Sequence, residues 1–170
     1  ILRGLSEALD LNLRDGEMSI SDILTVLQNS MTMLADEKGK KLEFHVNVES
    51  NFKTDKHYFL LSVFRNLFTN AIEANQDGNI LLTFTQREQD GQYLFEVTDN
   101  GPGIPEEAVK QIFNRTYTVS SARTPNSSTG SGLGLSIVKA IMERHDGTVT
   151  CESVVGEGSC FSFTLPYSNS

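Results

Sequence analysis

Residues 79–105 read NILLTFTQREQDGQYLFEVTDNGPGIP, two runs rich in β-branched and aromatic residues on either side of Asp90-Gly91. The arrangement predicts an antiparallel hairpin, because Asp-Gly tolerates the positive φ angles of a two-residue turn. In the second run Tyr93, Phe95, Val97 and Asp99 alternate and so share one face of the strand. Three apolar neighbours put Asp99 at the rim of the core, where an ionised carboxylate needs a donor. The DNGPG that follows must be a loop, and Pro105 suits the start of a helix through EEAVKQIF.

Outward from this hairpin the same logic fills in the chain. Upstream, KLEFHVNVES at 41–50 alternates Leu42, Phe44, Val46 and Val48 against polar residues, a half-buried strand. Residues 55–76 read as a long helix ending at DGN. An earlier helix runs from a Ser21 or Asp22 cap to Gly39. Downstream, a helix is predicted over 132–145, then strands TVTCESV and SCFSFTLP joined by a turn holding Gly156 and Gly158. Residues 114–131 are polar and carry no periodicity. The expected class is α+β: a two-layer α/β sandwich, one mixed, mainly antiparallel sheet with helices on one face.

Composition narrows the partners. With 170 residues and 38% hydrophobic content, the chain suits one globular domain with a real core. A net charge of −8 and a pI near 4.8 argue against nucleic acid or an anionic membrane as partner. No apolar run approaches the ~20 residues of a membrane helix. Cys151 and Cys160 are too few for a disulfide framework or a zinc site. They flank ESVVGEGS, which allows them to oppose each other on a hairpin, but two reduced thiols are the expectation. Ile1 stands where a Met would begin a complete protein, so a piece of something longer is expected.

Three places carry chemistry. In DKHYFLLSVFRNLFTNAIEANQD, Leu60, Phe64, Leu67, Phe68 and Ala71 share an apolar face, while Asn66, Asn70 and Glu73 form a stripe opposite. Two asparagines in mid-helix cost propensity and want a reason. The Asn70 amide oxygen is a hard ligand suited to Mg²⁺ beside phosphates, although an ordinary polar face explains the stripe as well. Asp99 is matched by an adenine amino group and would repel the carbonyl of guanine, with Gly101 and Gly103 turning the chain beneath a flat ring. An Asp-initiated turn satisfies the same residues. Finally, GSGLGL at 130–135 opens a helix, where N–H groups favour phosphate. Leu135 replaces the last glycine of a dinucleotide fingerprint and no Gly-Lys-Ser or Gly-Lys-Thr occurs, so a plain linker is the alternative.

Taken in order, the chain resembles the catalytic and ATP-binding domain of sensor histidine kinases, in the superfamily shared with gyrase, Hsp90 and mismatch-repair ATPases. RNLFTNAIEAN looks like the N box, DNGPG the G1 box, Ile112-Phe113 a reduced F box, GSGLGL the G2 box and GEGS the G3 segment. The resemblance implies a Bergerat-type fold holding ATP between the sheet and a mobile lid, with Mg²⁺ bridging the phosphates. On that reading Asn66 and Asn70 are catalytic, Asn70 is the metal ligand, and Asp99 reads adenine. Gly101, Gly103, Ile104, Gly130, Ser131, Gly132, Leu133, Gly134, Leu135 and Ser159 line the nucleotide, and Arg115 contacts phosphate. Glu73 stands where many members have Lys, so it is expected to hold Mg²⁺ or its waters, or to point away. The stretch after Phe113 lacks the usual aromatic and proline residues, and Asp146 replaces a glycine common after the helix-ending His.

The resemblance also sets what lies outside. His45, His57 and His145 lack the setting of a phosphoacceptor, so the acceptor is expected on a separate dimerisation helix. Residues 1–14 would be a remnant of the second such helix, and 15–170 the catalytic and ATP-binding domain. Implied partners are the chain's own dimerisation and phosphoacceptor domain and, through it, a response regulator. The whole protein would be a homodimer with this domain in the cytoplasm. Related hydrolases and serine kinases keep a Glu four residues before the metal-binding Asn to activate a nucleophile. Asn66 occupies that position and favours transfer to a protein histidine over an ATPase, a serine kinase or a non-catalytic nucleotide-binding module.

Overall fold

The computed structural model describes residues 17–54, 57–113 and 132–166. The expected helix remnant at 1–14 and lid at 114–131 lie outside them. In chain order the elements are β1 (Met18–Ser19), α1 (Ile20–Glu37), β2 (Lys41–Val48), β3 (Lys53–Thr54), α2 (His57–Ala74), β4 (Asn79–Gln89) and β5 (Gln92–Asp99). They continue with α3 (Glu106–Val109), α4 (Gly132–Arg144), β6 (Thr148–Val154) and β7 (Gly158–Pro166).

Five strands form one sheet in the order β2-β4-β5-β7-β6, and β1 pairs separately with β3. Only the β2–β4 pair in the large sheet is parallel; the others are antiparallel. The expected mixed, mainly antiparallel sheet is therefore present. One of its faces is apolar: Ile80, Leu82 and Phe84 on β4, Phe95 and Val97 on β5, Phe161, Phe163 and Leu165 on β7 are all buried. Against it lie α1, α2 and α4, each apolar along the side that faces the strands. Phe64 of α2 sits at the centre, its ring 5.1 Å from Phe84, 5.5 Å from Phe95 and 6.0 Å from Phe163. Such tilted and edge-on aromatic pairs each add about 0.5–1.5 kcal/mol beyond burial.

The Asp90-Gly91 turn is as expected. Both residues have positive φ, 55° and 77°, and Gln89 pairs with Gln92 across the two-residue loop. Gly39 ends α1 in the left-handed region (φ 70°), its N–H donating to Asp36 O while Lys40 N–H reaches back to Ala35 O. The same double bond closes α4: Asp146 N–H donates to Glu143 O and Gly147 N–H to Met142 O. Here the left-handed residue is Asp146 (φ 64°), so an L side chain does what glycine does at the end of α1.

Two local expectations are corrected, and one alternative is excluded. Ser19, not Ser21 or Asp22, caps α1: its Oγ accepts from Asp22 N–H at 3.1 Å. Ile20 and Ser21 N–H instead donate to Phe52 O and Asn51 Oδ1, partners thirty or so residues away that local reading does not supply. The helix after Pro105 is short, since Gln111 N–H bonds back only three residues to Ala108 O and the chain continues as turns. The two thiols are free, as expected, and the alternative in which Cys151 and Cys160 oppose each other is excluded. Cys151 pairs with Phe161 and Cys160 with Glu152, so the two thiols point to opposite faces of the sheet and remain free.

Candidate nucleotide-binding site

Asp99 ends β5 on the helix-facing side of the sheet, in phase with buried Phe95 and Val97. Burial pushes its carboxyl above the ordinary range, while N–H groups of Gly101 and Ser159 pull it back down. The Gly101 bond to Oδ1 is 2.8 Å. A methyl group on Gly101 would lie 3.0 Å from that oxygen, and one on Gly158 would lie 2.0 Å from the Asp99 carbonyl oxygen. Main chain thus presses on the aspartate from both directions. The side chain is half-buried and aimed into the layer between sheet and helices, where a donor on a flat ring has an acceptor to meet.

The loop after Asp99 is fastened to the β6–β7 hairpin. Pro102 O accepts from Gly156 N–H at 2.8 Å, and Ile104 N–H donates to Ser153 Oγ at 2.7 Å. Ser153 Oγ–H in turn donates to Gly158 O, which leaves Ser159 Oγ–H as donor in its 2.8 Å contact with Ser153. At the loop's start Asn100 takes a hydrogen bond from Leu81 N–H and gives one to Asn79 O. Gly103 has φ 79°, and a methyl group there would fall 2.3 Å from Val154 O. Its lack of a side chain is dictated by the neighbouring hairpin. Asp99, Gly101, Gly103, Ile104 and Ser159 are thereby gathered at one end of the sheet.

Sequence reasoning missed Ser153 and Asn100. The signal for Ser153 was present: in TVTCESV it occupies the phase of Val149 and Cys151, a hydroxyl where an apolar residue is expected. Cys151, desolvated and near the Asp99 carboxylate, has its thiol pushed up to about 12 and stays protonated.

On α2, Asn66 and Asn70 are half-buried. The Asn66 amide nitrogen donates to Ser62 O at 2.9 Å, one turn back. Glu73 turns toward the end of α1, with Oε2 3.9 Å from Lys38 Nζ. Lys40 Nζ donates to Ile72 O at 2.7 Å and Asn75 O at 2.6 Å, placing a cation on the carbonyl end of α2. Gly132, Leu133 and Gly134 make the first turn of α4, and Leu135 packs against the core. Arg115, Gly130 and Ser131 lie outside the described residues.

Helices α2 and α4 are joined by a stack of Phe59 on His145, centroids 3.9 Å apart and 6° from parallel. His145 Nδ1 lies 3.0 Å from Ile141 O, so that nitrogen carries the proton and His145 serves structure.

Sheet order, the helix layer on one face and a glycine-flanked aspartate at a strand end define a nucleotide-binding α/β sandwich. Residues 55–169 match the histidine kinase-, DNA gyrase B- and HSP90-like ATPase family, and the chain belongs to it. It is 31% identical over 163 residues to the sensor histidine kinase YclK of Bacillus subtilis, covering 95% of this chain and 33% of YclK. It is equally similar, at 31% over 144 residues, to the sensor histidine kinase WalK of the same organism, with 81% and 23% covered. The catalytic domain of histidine kinase ThkA superposes with a TM-score of 0.66 at 27% identity, over 88% of this chain and 97% of that one. Full-length ShkA, whose structure is a complex with AMPPNP, superposes with a TM-score of 0.73 at 27% identity, over 91% and 31%. The chain therefore spans a third or less of YclK and of WalK, and corresponds to their ATP-binding catalytic domain.

Proposed function

We propose that this domain binds ATP with Mg²⁺ and passes the γ-phosphoryl group to a histidine on a separate dimerisation domain, as part of a two-component sensor histidine kinase. The observation that carries the reading is Asp99, half-buried on the helix side of the sheet and braced by Gly101 and Ser159 N–H groups as an acceptor. An adenine amino group supplies the matching donor. The first turn of α4, from Gly132 through Leu135, offers N–H groups to the phosphates, which lets an acidic domain hold a polyanion. Arg115 adds charge of the same sense.

The residues fit Mg²⁺. Asn70 supplies an amide oxygen, and among the described residues no group of three or more His, Cys, Asp or Glu forms a cage. That set suits an ion shared between one protein oxygen and the nucleotide. When bound, the ion neutralises and orients the phosphates. In the transfer a bond forms between the acceptor imidazole nitrogen and the γ-phosphorus as the bond to the β,γ-bridging oxygen breaks, and ADP leaves.

Asn66 supports transfer over hydrolysis, since an amide already donating to Ser62 O is no base for water. Among the described residues no helix is long and apolar enough to cross a membrane. We assign the domain to the cytoplasm, the whole protein to a homodimer, and its output to a response regulator reached through the dimerisation domain.

The test is incubation with γ-labelled ATP and a separately produced acceptor-helix domain. Acid-labile label should appear on the acceptor, require Mg²⁺, and fall at least 100-fold in Asn70→Ala. Label on His45 or His145 of the fragment alone would overturn the assignment.

A further inference from the structure

One carboxylate in the helix layer lacks a full set of partners. Glu73, in the last turn of α2, has a side chain only 14% exposed. Its Oε1 is buried and makes no hydrogen bond, and Lys38 Nζ at 3.9 Å from Oε2 is beyond hydrogen-bond reach. Lys40, a second cation near it among the described residues, is committed to the carbonyls of Ile72 and Asn75. A carboxylate oxygen withdrawn from water without a donor is costly, so this position calls for one.

Glu73 follows Asn70 by three residues, which places the two on one side of α2. Mg²⁺ sheds water reluctantly and keeps several waters in protein sites, each a strong O–H donor. We propose that Glu73 is a positioning residue for the divalent ion: its Oε1 accepts from a water on the ion that Asn70 holds, while Lys38 draws Oε2 toward the end of α1. The inference rests on the reading of Asn70 as the Mg²⁺–ATP ligand. It also accounts for a negative side chain beside a polyanion. The intervening water keeps carboxylate and phosphate apart, and the cation between them is attracted to both.

Two effects of opposite sign follow. Removing the charge weakens the ion's hold and relieves the repulsion of metal-free ATP. The test measures ATP affinity by calorimetry in EDTA and in excess Mg²⁺, for the wild type and Glu73→Gln. The ratio of the two affinities is the coupling between ion and nucleotide on the protein. Loss of an outer hydrogen-bond partner lowers metal affinity about 10–100-fold, so the ratio should fall by that factor while affinity in EDTA holds or rises. An unchanged ratio, with ATP bound by both proteins, would reduce Glu73 to a tether between α1 and α2. A wild type that binds no ATP in either buffer would instead overturn the reading of Asn70 itself. Should Glu73→Gln fail to fold, the carboxyl ¹³C resonance of Glu73 decides in the wild type. It should shift when Mg²⁺ is added to the ATP-bound protein and not when ATP is added alone. A resonance indifferent to Mg²⁺ overturns the proposal.

Discussion

Replacing Ser153 with Ala removes the hydroxyl that joins Ile104 N–H, Gly158 O and Ser159 Oγ. Three hydrogen bonds at a net ~1 kcal/mol each set an upper figure of about 3 kcal/mol. Water reaches part of this half-buried cluster and can satisfy some of the groups left behind, so about 1.5–3 kcal/mol is expected. For a chain of this size each kcal/mol moves Tm by roughly 2–4 °C, which predicts a fall of about 3–12 °C. Urea unfolding followed by circular dichroism gives the free energy, with Thr150→Ala, an exposed change on the same strand, as a control within about 0.5 kcal/mol. Because Ile104 ends the loop that Asp99 begins, ATP affinity should weaken too. A Ser153→Ala protein as stable as the control, with unaltered ATP affinity, would refute the idea that this hydroxyl fastens the loop.

Asp99→Asn should weaken ATP binding by about 1–3 kcal/mol in calorimetry, and equal affinity would sink the adenine-reading role. Burial raises the Asp99 carboxyl above its unfolded value of 3.8, so the folded state favours the protonated form. That contribution is complete below the unfolded value and is lost as pH rises through the folded one. The stability of wild type relative to Asp99→Asn should therefore decline as pH increases from about 4; a difference that grows with pH would contradict it. Asp146→Gly should stabilise the domain by about 1 kcal/mol in thermal unfolding, because it removes an L side chain from the left-handed position that closes α4. A loss of stability would show that the Asp146 side chain makes a compensating interaction.

What could be read in the sequence was mostly what is local. Asp90-Gly91 announces its hairpin because two positive φ angles admit few residue pairs, and Gly39 announces a helix end for the same reason. The in-phase run of Phe95, Val97 and Asp99 placed a carboxylate at the edge of the core from alternation alone. Features that depend on distant chain were not legible. Ser21 and Asp22 look like caps as good as Ser19, and the choice is made by Asn51 and Phe52 taking the N–H groups of the first turn. Gly103 reads as turning the chain beneath a flat ring, and no local signal tells that the atoms a side chain would strike belong to Val154 and Val155. The partners of Glu73 were hidden for the same reason: Lys38 approaches only when α1 lies beside α2. The ordered boxes were legible as a set, since glycines at tight turns and asparagines in mid-helix are each choices that few local contexts explain.

The clamp between the Asp99 loop and the β6–β7 hairpin ties the appearance of the binding site to the order of synthesis. Asp99 is made before its supports: its second N–H donor is Ser159, its loop is held by Ser153, and β5 gains its far neighbour only with β7. A chain emerging from the ribosome would carry Asp99 and its loop some fifty residues before the hairpin that holds them. Nascent or truncated chains ending before residue 153 should thus be blind to nucleotide, and ATP would distinguish a domain that has its β6–β7 hairpin from one that lacks it.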